Sequence, residues 1–254
     1  MVDASTKHHD NISKSTMFDI ITETNKDPLG RMMLDFLDGR HDVFVEVESS
    51  DVDMWVMTGT TMFRTYEEMD ELEQVALQLC DGRVLDVGAG SGCHSLYLQD
   101  NKREVDALEI SPGCVDVMVR RTVKNAFHQN VFSLEGRRYK TILMLMNGLG
   151  ICGTLDGLNL FLQFIKTILD KGGQLIADST DLRNVSGARE RDDMHGDGYF
   201  GETEFVMSYE DAVSDPFEWL YVDFKTLQGL VEYNELQCEQ IAANGWGRYL
   251  ARIY

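Results

Sequence analysis

Apolar positions recur along the chain with two periods, and the switches between them outline its elements. Leu29, Met32, Met33, Phe36 and Leu37 follow an i, i+3, i+4, i+7, i+8 spacing after Pro28, which predicts an amphipathic helix with proline in its first turn. Val43, Val45 and Val47 then alternate with Phe44, Glu46 and Glu48, and Met54 to Met57 follow a Ser-Ser-Asp turn, predicting a hairpin or a pair of extended segments. Thr65-Tyr-Glu-Glu68 has the form of a capping box. Met69, Leu72, Val75, Ala76 and Leu79 supply the apolar face of the helix it opens, and Gly82 stops that helix.

From Val84 onward strands and helices alternate. Val84, Leu85 and Val87 form a short apolar run around Asp86, as in a strand buried on both faces. Residues 105–110 predict a second strand ending in Glu109, and Ser111-Pro112 opens a helix with Val115, Met118, Val119 and Ala126 on one face. Residues 141–146 form the fourth strand. Leu155, Leu158, Leu162, Ile165 and Leu169 mark a helix closed by Gly172 and Gly173, and residues 174–178 the fifth strand, tipped by Asp178. Residues 204–209 and 218–222 form a strand pair flanking Asp215-Pro216. A helix with Phe224, Leu227 and Val231 and strands at 237–242 and 249–254 complete the chain. This alternation predicts a doubly wound α/β fold with a mainly parallel sheet and ligands at its carboxyl ends.

One turn carries distinctive chemistry. Gly88, Gly90 and Gly92 follow Asp86 at alternate positions, and Cys-His-Ser-Leu-Tyr-Leu then opens a helix, so bare backbone and a helix N-terminus face a ligand. The dinucleotide fingerprint G-x-G-x-x-G requires glycine where Cys93 stands. The pattern D-x-G-x-G-x-G instead resembles motif I of the class I S-adenosylmethionine-dependent methyltransferases. Met146-Asn-Gly148, leaving the fourth strand, is similar to motif IV of a small-molecule branch of that class, a similarity running from about Arg64 to the C-terminus.

The resemblance implies a seven-stranded, Rossmann-like sheet and S-adenosylmethionine as cofactor. It implies that Asp86, Gly88, Ala89, Gly90 and Gly92 hold the amino-acid half of the cofactor, and that Glu109, followed by Ile110, accepts the ribose hydroxyls. Asn130, Val131 and Phe132 fall where the adenine is held, with Asn130 replacing the usual acid; its amide oxygen can still accept from the adenine amine. Phe132 stacks on the ring or belongs to the core. Arg64 and Tyr66, at a helix start leading into the site, read either as partners of the methionyl carboxylate or as a surface arginine and a packing tyrosine. Asn147 and Gly148 stand beside the transferable methyl. Asn147 and Asp178 are the candidates for orienting the acceptor, and His94 is the best-placed histidine for a general base. Tyr199, Trp219 and Tyr221 wall the acceptor or pack the core.

The reaction implied is an in-line methyl transfer to a small-molecule acceptor, in which alignment is the protein's main task. Three alternatives share these residues: a nicotinamide-dependent oxidoreductase, an aminopropyltransferase, and a non-catalytic protein that binds the cofactor. Residues 1–63 are expected as a tail and cap or lid and residues 64–254 as the cofactor-binding domain, with 179–222 a loop and hairpin insertion near the acceptor site.

Composition narrows the partners. The formal charge is −20, from 43 acids against 23 bases, which disfavours phosphate backbones and anionic lipid and suits a neutral or cationic small molecule. The five cysteines are odd in number and lack a C-x-x-C, as expected of free thiols in the cytoplasm. No run is long enough to span a bilayer. No metal is expected at His8 and His9, or at His195 among Asp192, Asp193 and Asp197, which are contiguous loop residues without closed ligand geometry.

Overall fold

A computed structural model describes residues 19–49, 52–184 and 198–254. His8 and His9, and Arg189, Arg191 and the acids around His195, lie outside the described residues. The chain begins with α1 (Pro28–Leu37), capped by Asp27 and burying Met32 and Met33. Strands β1 (Phe44–Ser49) and β2 (Trp55–Thr58) follow as an antiparallel pair, then a single turn, α2 (Gly59–Met62). The capping box at Thr65 and Glu68 is formed, but it closes a short 3-10 turn. The helix expected to start there, α3 (Glu71–Leu79), has a second box of its own between Asp70 and Glu73.

The α/β portion contains β3 (Arg83–Val87), α4 (Cys93–Asp100), β4 (Glu104–Glu109), α5 (Pro112–Arg120), β5 (Ala126–His128), β6 (Tyr139–Met144), α6 (Leu155–Ile168) and β7 (Leu169–Thr180). Then come β8 (Glu202–Tyr209), β9 (Ala212–Val213), β10 (Phe217–Leu220), α7 (Phe224–Tyr233), β11 (Cys238–Ala243) and β12 (Arg248–Ile253). Seven strands form one sheet in the order β11-β12-β7-β6-β3-β4-β5. β7, β6, β3, β4 and β5 are mutually parallel; at one edge β12 adds antiparallel to β7, and β11 pairs antiparallel with β12 and so runs in the same direction as the other five. This is the Rossmann-like methyltransferase sheet expected.

Two local expectations are corrected. The helix after Ser111 ends at Arg120, so Ala126 belongs to β5, and Val119 is 58% exposed while Cys114, Val117 and Met118 face the core. Gly172 and Gly173 do not close α6, which ends at Ile168; β7 begins at once because Leu169 pairs with Tyr139.

The strand pair β8 and β10 does not stand alone. β8 pairs with β1, giving a second, antiparallel sheet in the order β10-β8-β1-β2. The N-terminal hairpin and the segment after β7 thus build one layer, whose inner face (Val45, Val47, Phe205) packs with α1 in a separate core cluster. In the large sheet, β3 lies between β4 and β6, so the chain reverses direction of travel across the sheet at β3 and β6. Such a switch point opens a crevice at the strands' carboxyl ends.

Candidate active site

Two turns leave β3 and β6 into that crevice. In the first, Gly88, Gly90 and Gly92 have φ of +69°, +56° and +81°, a region in which a side chain is strained, which accounts for glycine at alternate positions. A Cβ at Gly88 would lie 2.8 Å from Ile151 Cδ1, and one at Gly90 would meet only Met33 Cε, at 3.6 Å. The loop is therefore bounded by the turn after β6 on one side and by α1 of the cap on another.

Glu109 at the tip of β4 clasps this loop. Its Oε2 accepts from Gly90 N at 2.9 Å, and its Oε1 accepts from Ile110 N at 2.8 Å and Ser111 N at 3.1 Å. Burial raises its pKa despite those bonds, and the nearby Asp27 carboxylate adds to the rise. Asp86 lies under the loop, where its Oδ2 accepts from Ser95 Oγ at 2.6 Å and ties β3 to α4. Burial raises the Asp86 pKa as well, against the pull of His94 and Ser95.

The expected partners of the methionyl end converge on a residue the sequence reading passed over. Glu73 in α3 is fully buried and takes both arms of Arg64, at 2.6 and 2.7 Å, together with His94 Nε2 at 2.9 Å. Burial opposes ionisation of Glu73, yet the hydrogen bonds from His94 and Arg64 outweigh it and hold the carboxyl at about 2. The signal in the sequence was Asp70-x-x-Glu73, a second capping box next to the first. Arg64 also donates to Thr61 O at 2.7 Å and reaches Met146 Sδ at 3.3 Å. Tyr66 stacks on Tyr97 with centroids 4.2 Å apart, and its hydroxyl accepts from Gln78 at 2.7 Å.

In the second turn, Met146 and Asn147 have consecutive positive φ values of 63° and 61°. Gly148 N donates to Asp178 Oδ1 at 3.1 Å, while Asp178 Oδ2 accepts from Arg248 Nε. A second arm of Arg248 reaches Asp70. Asp178 is fully buried, so its two oxygens hold the turn and the last strand together. Arg248 was not foreseen; an isolated arginine before a strand carries no pattern. Asn147 Nδ2 points at Leu220 O, 3.5 Å away, and its Oδ1 is buried with no partner.

On the adenine side, Asn130 Oδ1 accepts from Phe132 N at 3.0 Å and its Nδ2 donates to Asp19 O at 3.3 Å. Val131 is buried. Phe132 packs against Phe161 and Phe164, with centroids 6.0 and 5.2 Å away, and Ile110 is 41% exposed just beyond Glu109. On the acceptor side, Trp219 lies so closely over Gly150 that a Cβ there would be 2.1 Å from the indole. Tyr199 donates to Asp223 at 2.6 Å. Among the described residues, no group of three His, Cys, Asp or Glu could hold a metal ion, and no helix is long and apolar enough to cross a membrane.

This fold and paired glycine and Asn-Gly turns define a class I methyltransferase scaffold. The chain is 39% identical to an S-adenosylmethionine-dependent methyltransferase from Bacteroides fragilis, solved in complex with S-adenosyl-L-homocysteine; the match covers 94% of this chain and 98% of that one, with a TM-score of 0.85. The CcbJ methyltransferase of Streptomyces caelestis (15% identity, 74% of this chain and 93% of that one, TM-score 0.57) shares the fold. So does an S-adenosylmethionine-dependent methyltransferase from Clostridium acetobutylicum (13%, 74% and 92%, TM-score 0.53). No protein-family model and no curated protein matches the chain. The chain belongs to the S-adenosylmethionine-dependent methyltransferases, with S-adenosylmethionine as its cofactor, and not to the nicotinamide-dependent enzymes.

Proposed function

We propose that the chain transfers the methyl group to a small-molecule acceptor seated between the turn after β6 and the cap sheet. The carrying observation is the contact between the two turns: the glycine loop and the Asn147 turn meet through Gly88 and Ile151. The cradle fits the cofactor, because the open side of Gly90 faces only a flexible methionine methyl and Glu109 presents a carboxylate at the adjoining strand tip. When bound, the sulfonium supplies an activated methyl group, and no covalent nucleophile of the protein is required.

Each side chain then has a task. The backbone of Gly88, Ala89, Gly90 and Gly92 receives the amino-acid half, with Asp86 bracing the loop through Ser95. Glu109 and Ile110 hold the sugar, and Asn130, Val131 and Phe132 border the base. Arg64 contributes positive charge at the entrance, with its fork already held by Glu73. Tyr66 braces that entrance against α4 through Tyr97. Asn147 orients the acceptor, and Gly148 fixes the turn through Asp178. His94 and Asp178 act as positioning residues, because the His94 Nε2 and both Asp178 oxygens are occupied.

Residues 64–254 carry the cofactor, and 1–63 together with 179–222 supply the cap over the acceptor; the joint sheet of β1, β2, β8 and β10 supports that division. A cytoplasmic protein without nucleic-acid or membrane partner is supported by five free cysteines and a charge of −20. Calorimetry with S-adenosylhomocysteine is the test. Gly90→Val, which forces a β-branched residue to positive φ, and Glu109→Ala are each expected to weaken binding at least ~100-fold. Unchanged affinity in both variants overturns the assignment.

A further inference from the structure

We infer that residues 19–26 form a strap that closes over the base of the bound cofactor, and that Asn130 is the tether of this strap, a positioning residue, and not the reader of the adenine amine. This inference rests on the methyltransferase reading of the crevice and goes beyond it by naming what covers the adenine end.

The course of the strap is set at three places. At its end, Asp27 accepts from Ser111 Oγ at 2.8 Å and from Gly113 N at 2.9 Å, at the start of α5. Just before, Thr24–Lys26 make one 3-10 turn, and Lys26 pairs with Asp215 of the cap. Further back, Ile21 N donates to Ile110 O at 3.0 Å, and Asn130 Nδ2 donates to Asp19 O at 3.3 Å. The strap thus runs from Ser111 past Ile110 to Asn130, across the carboxyl ends of β4 and β5. Those are the residues that border the sugar and the base.

Asn130 uses both ends of its amide on the protein. It is buried, its Oδ1 caps the following turn by accepting from Phe132 N at 3.0 Å, and its Nδ2 holds the Asp19 carbonyl. An ionised acid at this position keeps the first bond but has no donor for the second. An amide in place of an acid is therefore what a strap that presents a carbonyl requires.

The attachment is light enough to open. None of residues 19–26 is buried, and Ile110 O keeps a second donor, His128 Nε2 at 2.8 Å, when Ile21 leaves. Lifting the strap breaks the bonds at Ile21 and Asp19 and orphans no carbonyl at the strand tip, which places the segment among the readily opened parts of the molecule. Ile20 on the strap and Ile110 on the strand tip both stand exposed. A flat purine gives their apolar surface a cover, so seating the base and closing the strap favour one another.

The test measures entry and release of S-adenosylhomocysteine on the immobilised full chain by surface plasmon resonance, with hydrogen exchange at the Ile21 amide as a structural readout. Ile21→Pro removes the donor to Ile110 O; Asn130→Asp keeps the cap on Phe132 N but sets a carboxylate against Asp19 O. Each variant is expected to release the ligand about tenfold faster than native, the worth of roughly one hydrogen bond, with association no slower. The double variant should stay within about twofold of the faster single one, because both changes open the same strap. In the native chain the Ile21 amide is expected to exchange more slowly when S-adenosylhomocysteine is bound, and Asn130→Asp should abolish that protection. Were Asn130 the reader of the amine, Asn130→Asp would supply a stronger acceptor and hold the ligand at least as long as native does. That result, a native release rate in Ile21→Pro, slower association in either variant, effects that multiply in the double variant, or Ile21 exchange indifferent to the ligand would each overturn the assignment. If the native chain fails to bind S-adenosylhomocysteine, the cofactor reading itself falls, a result distinguishable by calorimetry alone.

Discussion

On the cofactor wall of the crevice the chain has answered its own polar groups: Glu109 accepts from three backbone N–H groups, Glu73 takes Arg64 and His94, and Asp86 takes Ser95. On the acceptor wall, Asn147 Oδ1 has no donor, and Met146, Trp219 and Tyr221 leave part of their apolar surface open. The walls also differ in origin. The first comes from one continuous stretch running from Arg64 through α3, β3, the glycine loop and α4 to the tip of β4; the second joins the turn after β6 to a sheet whose strands come partly from before β3 and partly from between β7 and β11. A pre-organised wall suits a ligand that is always the same. A wall with unmet polar and apolar surface gains its partners only when the second substrate arrives.

The largest effect that would break this contrast lies at Glu73. Glu73→Gln removes the charge that Arg64 shares, leaving a guanidinium only 16% exposed without its ion-pair partner. Breaking such a buried pair costs about 3–5 kcal/mol, a Tm drop of roughly 10 °C for a chain of this size. The pH dependence gives a second reading. The Glu73 carboxyl stands at about 2 against an ordinary 4.5, so its stabilisation is fully present above about pH 4.5 and is lost as pH falls from there through about 2. Thermal melts of native and variant between pH 7 and pH 3 should therefore converge toward the acid end. Parallel curves would show that the three side chains do not act as a unit.

How legible this was depended on whether a signal was local. The glycine loop, the capped helices and the strand runs each carry their pattern within a few residues, and the seven-stranded sheet followed from their alternation. Pattern failed where partners are distant. β1 and β8 each read as strands, but nothing in Val47 or Glu48 names Met207 or Val206 as partners. Tyr139 pairing with Leu169 turned an expected helix stop into strand. Arg64 and His94 were singled out for a ligand, yet both were found on Glu73, because periodicity counts apolar positions and does not register a buried acid inside a helix. The Asn147 turn was legible as a motif. Its unpaired oxygen was not, since satisfaction is a property of the folded surroundings.

A middle-sized effect tests whether α1 belongs to the cofactor wall. Asp27 is buried, caps Gly30 N at 3.0 Å, and accepts from Ser111 Oγ at 2.8 Å and Gly113 N at 2.9 Å, so one carboxylate joins the starts of α1 and α5. It thereby sets Met33 above Gly90. Asp27→Ala strands three donors and is expected to cost about 2 kcal/mol of stability by a cap-loss mechanism. If α1 is part of the cofactor wall, S-adenosylhomocysteine affinity falls by roughly tenfold as well, read by calorimetry below the variant's Tm. Stability loss without a change in affinity would place α1 with the cap alone.

The smallest effect is the sharpest discriminator, because it should touch one wall only. Trp219 is half-buried, rests on Gly150 and meets Phe217 edge-on with centroids 6.2 Å apart. Its removal exposes the flank of the turn that carries Asn147 but reaches neither the glycine loop nor Glu109. Full burial of an aromatic side chain makes its loss cost about 3–5 kcal/mol; for a half-buried indole at the rim, about 1–2 kcal/mol is expected from Trp219→Ala. Affinity for S-adenosylhomocysteine should stay within about twofold, while methyl transfer to a small-molecule acceptor falls through a raised KM, since what is lost is apolar surface beside the turn and no group of the cofactor wall. A fall in kcat at unchanged KM would instead mean that the indole holds the turn's geometry. An equal fall in cofactor affinity would show that the walls are one mechanical unit, however differently their polar groups are satisfied.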